Sequence, residues 1–360
     1  APSLAQQRGN KKLSEKGVVQ TSHNRMWQRM IQQSQTTRVR VSKDENTNMA
    51  MLSSQEVTKP KGRTRTLSRH RRREAMWGIL CVAPAVLGFL LWQLGPIIGS
   101  LFIAFTDWGI AGNPEWIGVE NFRQMFTEDN LFWKSLSITF YYSLASVPLR
   151  IIVAFFLAVL LNQKIRGLPI FRTVFYLPSI VPAIASSVLW IWLFNPDFGL
   201  LNAVLRPLGF PKIQWIYGSS SVMPSFILMS LWDIGPMMII FLAGLQGVPR
   251  QLYEAVEIDG GNAWHRLRHI TVPMITPTIL FNLILSIIGA MQTFVQPYVM
   301  TEGGPNNNSL MYVLYLYQKA FEQSQMGYAS ALAWVLFIII AVMSFIVLRT
   351  SSTWVYYEGR

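Results

Sequence analysis

His265 and His269 stand four residues apart in HRLRH, the spacing at which two imidazoles on one helix face can share a metal ion. The segment lacks the glutamate of HExxH, and Arg266 and Arg268 beside the histidines repel a cation, so no metal site is expected there. Cys81 is the one cysteine, which excludes an internal disulfide and a cysteine-ligated zinc cluster. The acids Asp107, Glu115, Glu120, Glu128, Asp129, Asp197 and Glu302 lie scattered, without His or Ser partners in catalytic spacing, and read as solvated loop charges, a few of them contacting a docking protein. The sequence contains no GxxxxGK[ST] loop to hold ATP phosphates. Two charges remain in apolar surroundings, Arg150 and Asp233, and an ionisable group within hydrocarbon is functional by default. They pair with each other at similar depth, or Arg150 faces a translocation path and meets an anionic substrate, or it reaches water; these readings stay open.

The elements that must position them are membrane helices. The 360 residues are 51% hydrophobic and 14% charged, against about 25% charged in soluble domains. Six apolar stretches, 76–105, 135–161, 170–194, 222–248, 275–300 and 328–349, are long enough to cross about 30 Å of hydrocarbon at about 1.5 Å per residue. The expected fold is an all-α membrane protein with six transmembrane helices, its prolines tolerated where neighbours satisfy the freed carbonyls. The first stretch follows RHRRRE and is too long for a cleaved signal peptide, so it is expected to stay in the mature protein.

Residues 1–74 hold 17 Lys/Arg and 5 Asp/Glu, a net of +12 out of the chain's +13. This charge lies in a polar, aromatic-poor tail expected to be disordered, not on a folded face, which argues against nucleic acid. Residues 60–73, PKGRTRTLSRHRRR, are expected to bind anionic lipid headgroups. Lys164, Arg166, Arg172, Arg250, Arg266, Arg268, Arg349 and Arg360 fall on the tail's side of the membrane, against Arg123, Lys134, Arg206, Lys212 and Lys319 opposite. The positive-inside rule then puts both termini, and the loop between spans four and five, in the cytoplasm. The domain reading is a basic tail, 1–74, and a six-helix transmembrane domain, 75–360.

That loop, 249–273, contains YEAVEIDGGNAWHRLRHITVP. Pro249 suits the first position of a helix carrying Leu252, Ala255 and Val256 on one face. Gly260 and Gly261 end it, Asn262 caps a second short helix, and Pro273 closes that one before the next span. The result is a helix-turn-helix elbow.

The spacing of Glu254, Ala255, Val256, Gly260, Ile270, Val272 and Pro273 resembles the EAA signature of the membrane subunits of bacterial ABC importers. LLNQKIRGLPIFRTVFYLPSIVPAIASSVLWIWLFNPDFGLLN at 160–202, FLAGLQGVP at 241–249 and TEGGP at 301–305 are similar to sugar-importer permeases of the maltose and glycerol-phosphate type. The resemblance covers residues 77–350, with Val256 and Val272 where the family usually has Ala and Leu. It implies a non-catalytic inner-membrane subunit working with a second permease subunit, an ATPase dimer that binds ATP and Mg, and an extracytoplasmic solute-binding protein. It also implies that the elbow, through Glu254, Ala255, Val256, Asp259, Gly260, Ile270 and Pro273, seats in a cleft on the ATPase.

Carbohydrates are bound by stacking aromatics and hydrogen-bonding side chains. Trp190, Trp192, Trp232, Asp233, Asn282, Gln292, Gln296 and Tyr298, with Arg150, are the candidates for a path for a carbohydrate, an oligosaccharide that is neutral or acidic, although polar side chains also glue helices together. The rival reading, a secondary transporter or channel subunit for a polar solute, requires its own ion relay, and the spans hold few ionisable residues.

Overall fold

The computed structural model describes residues 69–109, 112–163 and 166–356. The far tail and most of the 60–73 cluster lie outside these residues, as do Lys164 and Arg360 of the charge count. The chain divides into two compact units, Ala1–Val82 and Ala83–Arg360. In the first, the described residues 69–82 are helical.

Helix α1 (Arg69–Phe89) passes through a π turn, Leu90–Leu94, into α2 (Gly95–Ile103). A two-residue antiparallel pair follows, β1 (Thr106–Asp107) with β2 (Glu115–Trp116), and then α3 (Glu120–Thr127). Helix α4 (Asn130–Leu161) is 32 residues long and passes Pro148 without a break. It packs against α8 (Val222–Ser230), α9 (Gly235–Gln246) and α13 (Thr276–Met291), which makes it the central post of the second unit. Between α4 and α8 lie α5 (Leu168–Tyr176), α6 (Ala183–Leu193) and α7 (Leu200–Leu205). Beyond α9 come three short helices, α10 (Arg250–Ile258), α11 (Ala263–Arg266) and α12 (Val272–Met274). After α13 the chain forms α14 (Val295–Met300), α15 (Tyr312–Tyr317) and α16 (Met326–Trp354).

Among the described residues, four helices are long and apolar enough to cross a membrane, Arg73–Ile103, Asn130–Leu161, Thr276–Met300 and Met326–Trp354, or up to six if each of two bent pairs is one span. The expected stretches 170–194 and 222–248 are each bent. Leu168–Ile180 and Ala183–Leu193 meet at 99°, and α8 and α9 meet at 44°. The first bend has a local cause: Pro182 pushes Val181 out of helical geometry, to φ −70 and ψ 128. At the second, Gly235 and Pro236 start a new helix after a turn at 231–234.

Two apolar clusters hold the second unit together. The larger gathers Phe132, Trp190, Phe194, Met291, Tyr312, Tyr315 and Leu332, among others. The smaller centres on Phe155, Met238, Phe241, Leu245 and Ile275, where α4, α9 and the start of α13 meet.

Asp129 departs from its expected role as a solvated loop charge. Its Oδ1 caps α4 by accepting from the N–H groups of Leu131 (2.9 Å) and Phe132 (3.0 Å), while Oδ2 accepts from the hydroxyls of Tyr315 and Tyr328. Lys319 Nζ lies 5.5 Å from the ring centre of Tyr315 and 5.2 Å from that of Tyr328. Burial alone would raise the Asp129 pKa; the tyrosine and backbone hydrogen bonds and the Lys319 charge outweigh it and hold the carboxyl below the usual range.

Candidate functional site

Where α4 faces the bend between α8 and α9 there is a cavity of about 400 Å³. Tyr142 and Arg150 enter it from α4, Phe226, Met229 and Ser230 from α8, and Trp232 and Asp233 from the turn. Pro178, Ser179 and Val181 come from the other bend, and Gln292, Thr293, Phe294, Val295 and Gln296 from the interruption between α13 and α14. Each wall outside α4 is thus built at or beside an interruption of regular helix. Backbone and polar side chains can be exposed at membrane depth only where they line such a space.

Five of the expected path residues converge on this cavity: Arg150, Trp232, Asp233, Gln292 and Gln296. Trp190 is buried behind them, its ring edge-on to Trp232 with centroids 5.9 Å apart. Three do not join. Trp192 points away, 71% exposed, against Phe198. Asn282 is buried within α13 and donates to the Thr278 carbonyl at 3.1 Å. Tyr298 stacks with Phe294 and meets Tyr317. On α14 the half-turn that carries Gln296 into the cavity carries Tyr298 out of it. Tyr142, Ser179, Ser230 and Thr293 were missed by sequence reasoning. Ser179 follows Pro178 and Thr293 follows the interruption after Met291, whereas Tyr142 and Ser230 carry no such local signal.

Of the open readings, a side-chain ion pair between Arg150 and Asp233 is not formed, and another contact takes its place. Arg150 Nη2 donates to the backbone carbonyl of Asp233 at 3.2 Å. That carbonyl lies before α9 and outside its ladder, whose first acceptor here is Ile234, bonded by the Met238 N–H at 2.9 Å. An orphan carbonyl at a helix interruption is a ready acceptor for a guanidinium. Arg150 Nε, Ser146 Oγ one turn earlier on α4, and Trp190 Nε1 are buried without hydrogen-bond partners.

The segment 249–273 has the expected helix-turn-helix form. Pro249 is the N-cap of α10, one position before the expected one. Gly260 adopts φ +77, its N–H bonds the Glu257 carbonyl (3.1 Å), and the Gly261 N–H bonds the Val256 carbonyl (2.8 Å). This is the paired C-terminal cap in which a left-handed glycine ends a helix. Gly261 is required by space, since a Cβ would stand 2.4 Å from Val256 Cγ1. Asn262 caps α11 by accepting from the His265 N–H at 3.0 Å. Arg266 pairs with Glu257, and the hydroxyls of Tyr253 and Thr271 lie 3.1 Å apart across the two arms. Pro273 does not close the second helix as expected. A π turn, Leu267–Thr271, precedes it, and α12 continues through Met274; the wider turn absorbs the N–H that proline lacks, as Leu90–Leu94 does ahead of Pro96.

Glu254, Ala255, Asp259 and Gly260 are exposed, whereas Val256, Ile270 and Pro273 are half-buried. Ile270 packs with Leu252, Tyr253, Leu267 and Val272 onto the smaller cluster, so it fastens the elbow to α4 and α9. Ile258, 86% exposed, and Trp264, 61% exposed, are large apolar side chains on the elbow that sequence reasoning did not select. His265 and His269 stack with ring centres 5.9 Å apart, and their Nδ1 atoms contact Asn262 Oδ1 and the His265 carbonyl. Among the described residues no group of three or more metal-ligating side chains gathers.

A helical membrane chain with interrupted spans around a polar cavity and a capped elbow packed on two of them has the form of a transporter's membrane subunit. Residues 150–352 match the family described as the binding-protein-dependent transport system inner membrane component, and the chain belongs to that family. It is 43% identical over 297 residues, 81% of this chain and 96% of the relative, to the probable ABC transporter permease protein YesP of Bacillus subtilis. It is 34% identical to the arabinooligosaccharides transport system permease protein AraP of the same organism, over 76% of this chain and 88% of the relative. It is 32% identical to the sulfoquinovosyl glycerol transport system permease protein SmoG of Agrobacterium fabrum, over 78% and 92%. A chain from the crystal structure of a bacterial ABC transporter involved in the import of the acidic polysaccharide alginate shares the fold, with a TM-score of 0.69 at 21% identity over 78% of this chain and 96% of that one.

Proposed function

We propose that the chain, with a second permease subunit, forms the membrane path of an ATP-driven importer for an oligosaccharide delivered by an extracytoplasmic binding protein. In this reading each bent pair is one span, giving six, both termini are cytoplasmic, and the elbow at 249–273 faces the partner ATPase dimer, which binds ATP and Mg. The observation that carries it is the cavity itself. An indole and a phenyl ring, Trp232 and Phe294, stand among Gln292, Gln296, Ser179, Ser230 and Thr293, the mixture of flat apolar faces and neutral hydrogen-bonding groups that suits a sugar. The relatives named for arabinooligosaccharides and sulfoquinovosyl glycerol support the same substrate class. Arg150 lies 11 residues from the end of α4 at Leu161, about 17 Å at 1.5 Å per residue. A guanidinium at that depth, with no carboxylate in ion-pair contact, accommodates an acidic sugar.

At the elbow, Glu254 offers a carboxylate to a basic residue of the ATPase, and exposed Ile258 and Trp264 supply apolar area to the same cleft. The expected result in proteoliposomes is that Glu254→Lys and Gly260→Pro leave the protein in the membrane but uncouple uptake from ATP hydrolysis. Trp232→Ala, Gln292→Ala and Gln296→Ala together raise the substrate concentration needed for half-maximal uptake. Normal uptake and substrate-stimulated hydrolysis in the elbow variants reject the coupling role, and unchanged affinity in the triple variant rejects the cavity assignment.

A further inference from the structure

The Arg150 contact joins cavity and elbow in a way that residue types alone do not suggest. Nη2 holds a backbone carbonyl in the turn between α8 and α9, while Nε is buried and unpartnered beside the cavity. The Asp233 carboxylate, also at the cavity, makes no ion pair with it. From that turn α9 runs without interruption from Gly235 to Gln246, and Val248 and Pro249 lead directly into the elbow. Close contacts keep α9 registered with its neighbours. A Cβ on Gly235 would stand 2.9 Å from the Phe175 carbonyl oxygen and the Tyr176 Cα, and one on Gly244 would stand 2.6 Å from Thr278 Oγ1. A change of angle at the turn therefore displaces the whole rod and, with it, the elbow.

We propose that Arg150 is a positioning residue that reports cargo to the elbow. An acceptor group on the sugar, a hydroxyl or a carboxylate, takes a guanidinium N–H of Arg150 at the cavity and draws the group off the Asp233 carbonyl. This releases the 44° bend between α8 and α9 to change angle. The Nη2 bond holds the bend, and cargo that binds the guanidinium exchanges that bond for one to itself. A ligand shifts such an equilibrium only by its differential interaction with the two states, and here the difference is the partner of one guanidinium. The proposal rests on the transport reading above and adds that the membrane subunit itself, besides the binding protein, senses cargo.

The test uses the full complex in proteoliposomes, with its binding protein supplied unloaded and loaded, and reads ATP hydrolysis in each state and the KM of uptake. For Arg150→Gln the expected result is hydrolysis raised with unloaded protein, so that the loaded-to-unloaded ratio falls at least threefold, together with a higher KM. Arg150→Lys keeps the charge but lacks the fork needed to exchange one partner for another, and is expected to recover less than half of that ratio. Asp233→Asn, which keeps the carbonyl, is expected to raise KM while the ratio stays within twofold of wild type. Equal scaling of both rates in Arg150→Gln, or a fall in the ratio as large for Asp233→Asn as for Arg150→Gln, overturns the proposal. A wild-type complex that does not respond to loaded binding protein contradicts the transport reading instead.

Discussion

Helices α4 and α16 run 32 and 29 residues without a break, while the two expected spans between α4 and α10 are bent at 99° and 44°. Both kinds of stretch contain proline. The difference is its company. Pro148 stands alone in α4 and costs that helix one backbone bond, whereas Pro178 and Pro182 lie four residues apart, and Pro236 follows a glycine. Straight helices here carry packing; bent ones bring polar groups and a loose carbonyl to mid-span, and the cavity forms at the bends. A substitution in the first class should lower stability, and one in the second should alter coupling.

The largest effect is expected at Gly235, beside the 44° bend. Gly235→Ala places a methyl 2.9 Å from two backbone atoms that cannot give way. An overpacking cost of about 1–3 kcal/mol falls on the moving joint and predicts a loss of about tenfold or more in uptake rate with the complex still assembled. Gly327, at the start of α16, is the contrast: its added Cβ would lie 2.0 Å from the Thr106 carbonyl oxygen. Gly327→Ala is expected to reduce the yield of assembled complex, while the complex that does form hydrolyses ATP per molecule of sugar as wild type does. Altered stoichiometry in that variant would erase the distinction between the two classes.

A smaller effect is expected from Asp129→Asn, which weakens the carboxylate's bonds from Tyr315, Tyr328 and two backbone N–H groups. The Asp129 pKa is held below its unfolded value of about 3.9, so its contribution is present above that pH and is lost as pH falls through the folded value. Thermal unfolding of wild type should therefore be flat in this respect from pH 7 to about 4 and drop below it. Asp129→Asn should lower Tm by a few degrees at pH 7 and lack that acid limb. An equal acid limb in the variant would assign it to other groups. The smallest effect is expected at the elbow turn: with φ +77 and open space around it, Gly260→Ala meets only the left-handed penalty, about 1–2 kcal/mol, and Gly260→Asn less. Uptake is expected to stay within about threefold of wild type in the Asn variant.

The elbow was legible in the sequence because its signals are local. The glycine pair, Asn262 and the proline before the first helix act within a few residues of themselves, and the helix-turn-helix form and the Asn262 cap were read from them, as was the need for glycine at 260. The continuation through Pro273 was not, since a π turn depends on how five residues share their carbonyls. The cavity was half legible: intramembrane Arg150 and Asp233 announce themselves by cost, and Trp232, Gln292 and Gln296 by type. Asn282 and Tyr298 carry the same signal and lie elsewhere, because the side of a helix that meets a cavity is set by bends that hydropathy does not record. Asp129 was misread for a related reason; its tyrosine partners are 186 and 199 residues away.

The energy source separates an ATP-driven importer subunit from a self-sufficient carrier. The decisive measurement is uptake of a labelled oligosaccharide into proteoliposomes holding the full complex, with ATP inside and the binding protein outside, compared with vesicles holding this chain alone under an imposed proton or sodium gradient. The predicted result is uptake that requires ATP and the binding protein, is abolished by Glu254→Lys, and is absent from the chain alone. Gradient-driven uptake by the chain alone, without ATP, would contradict it.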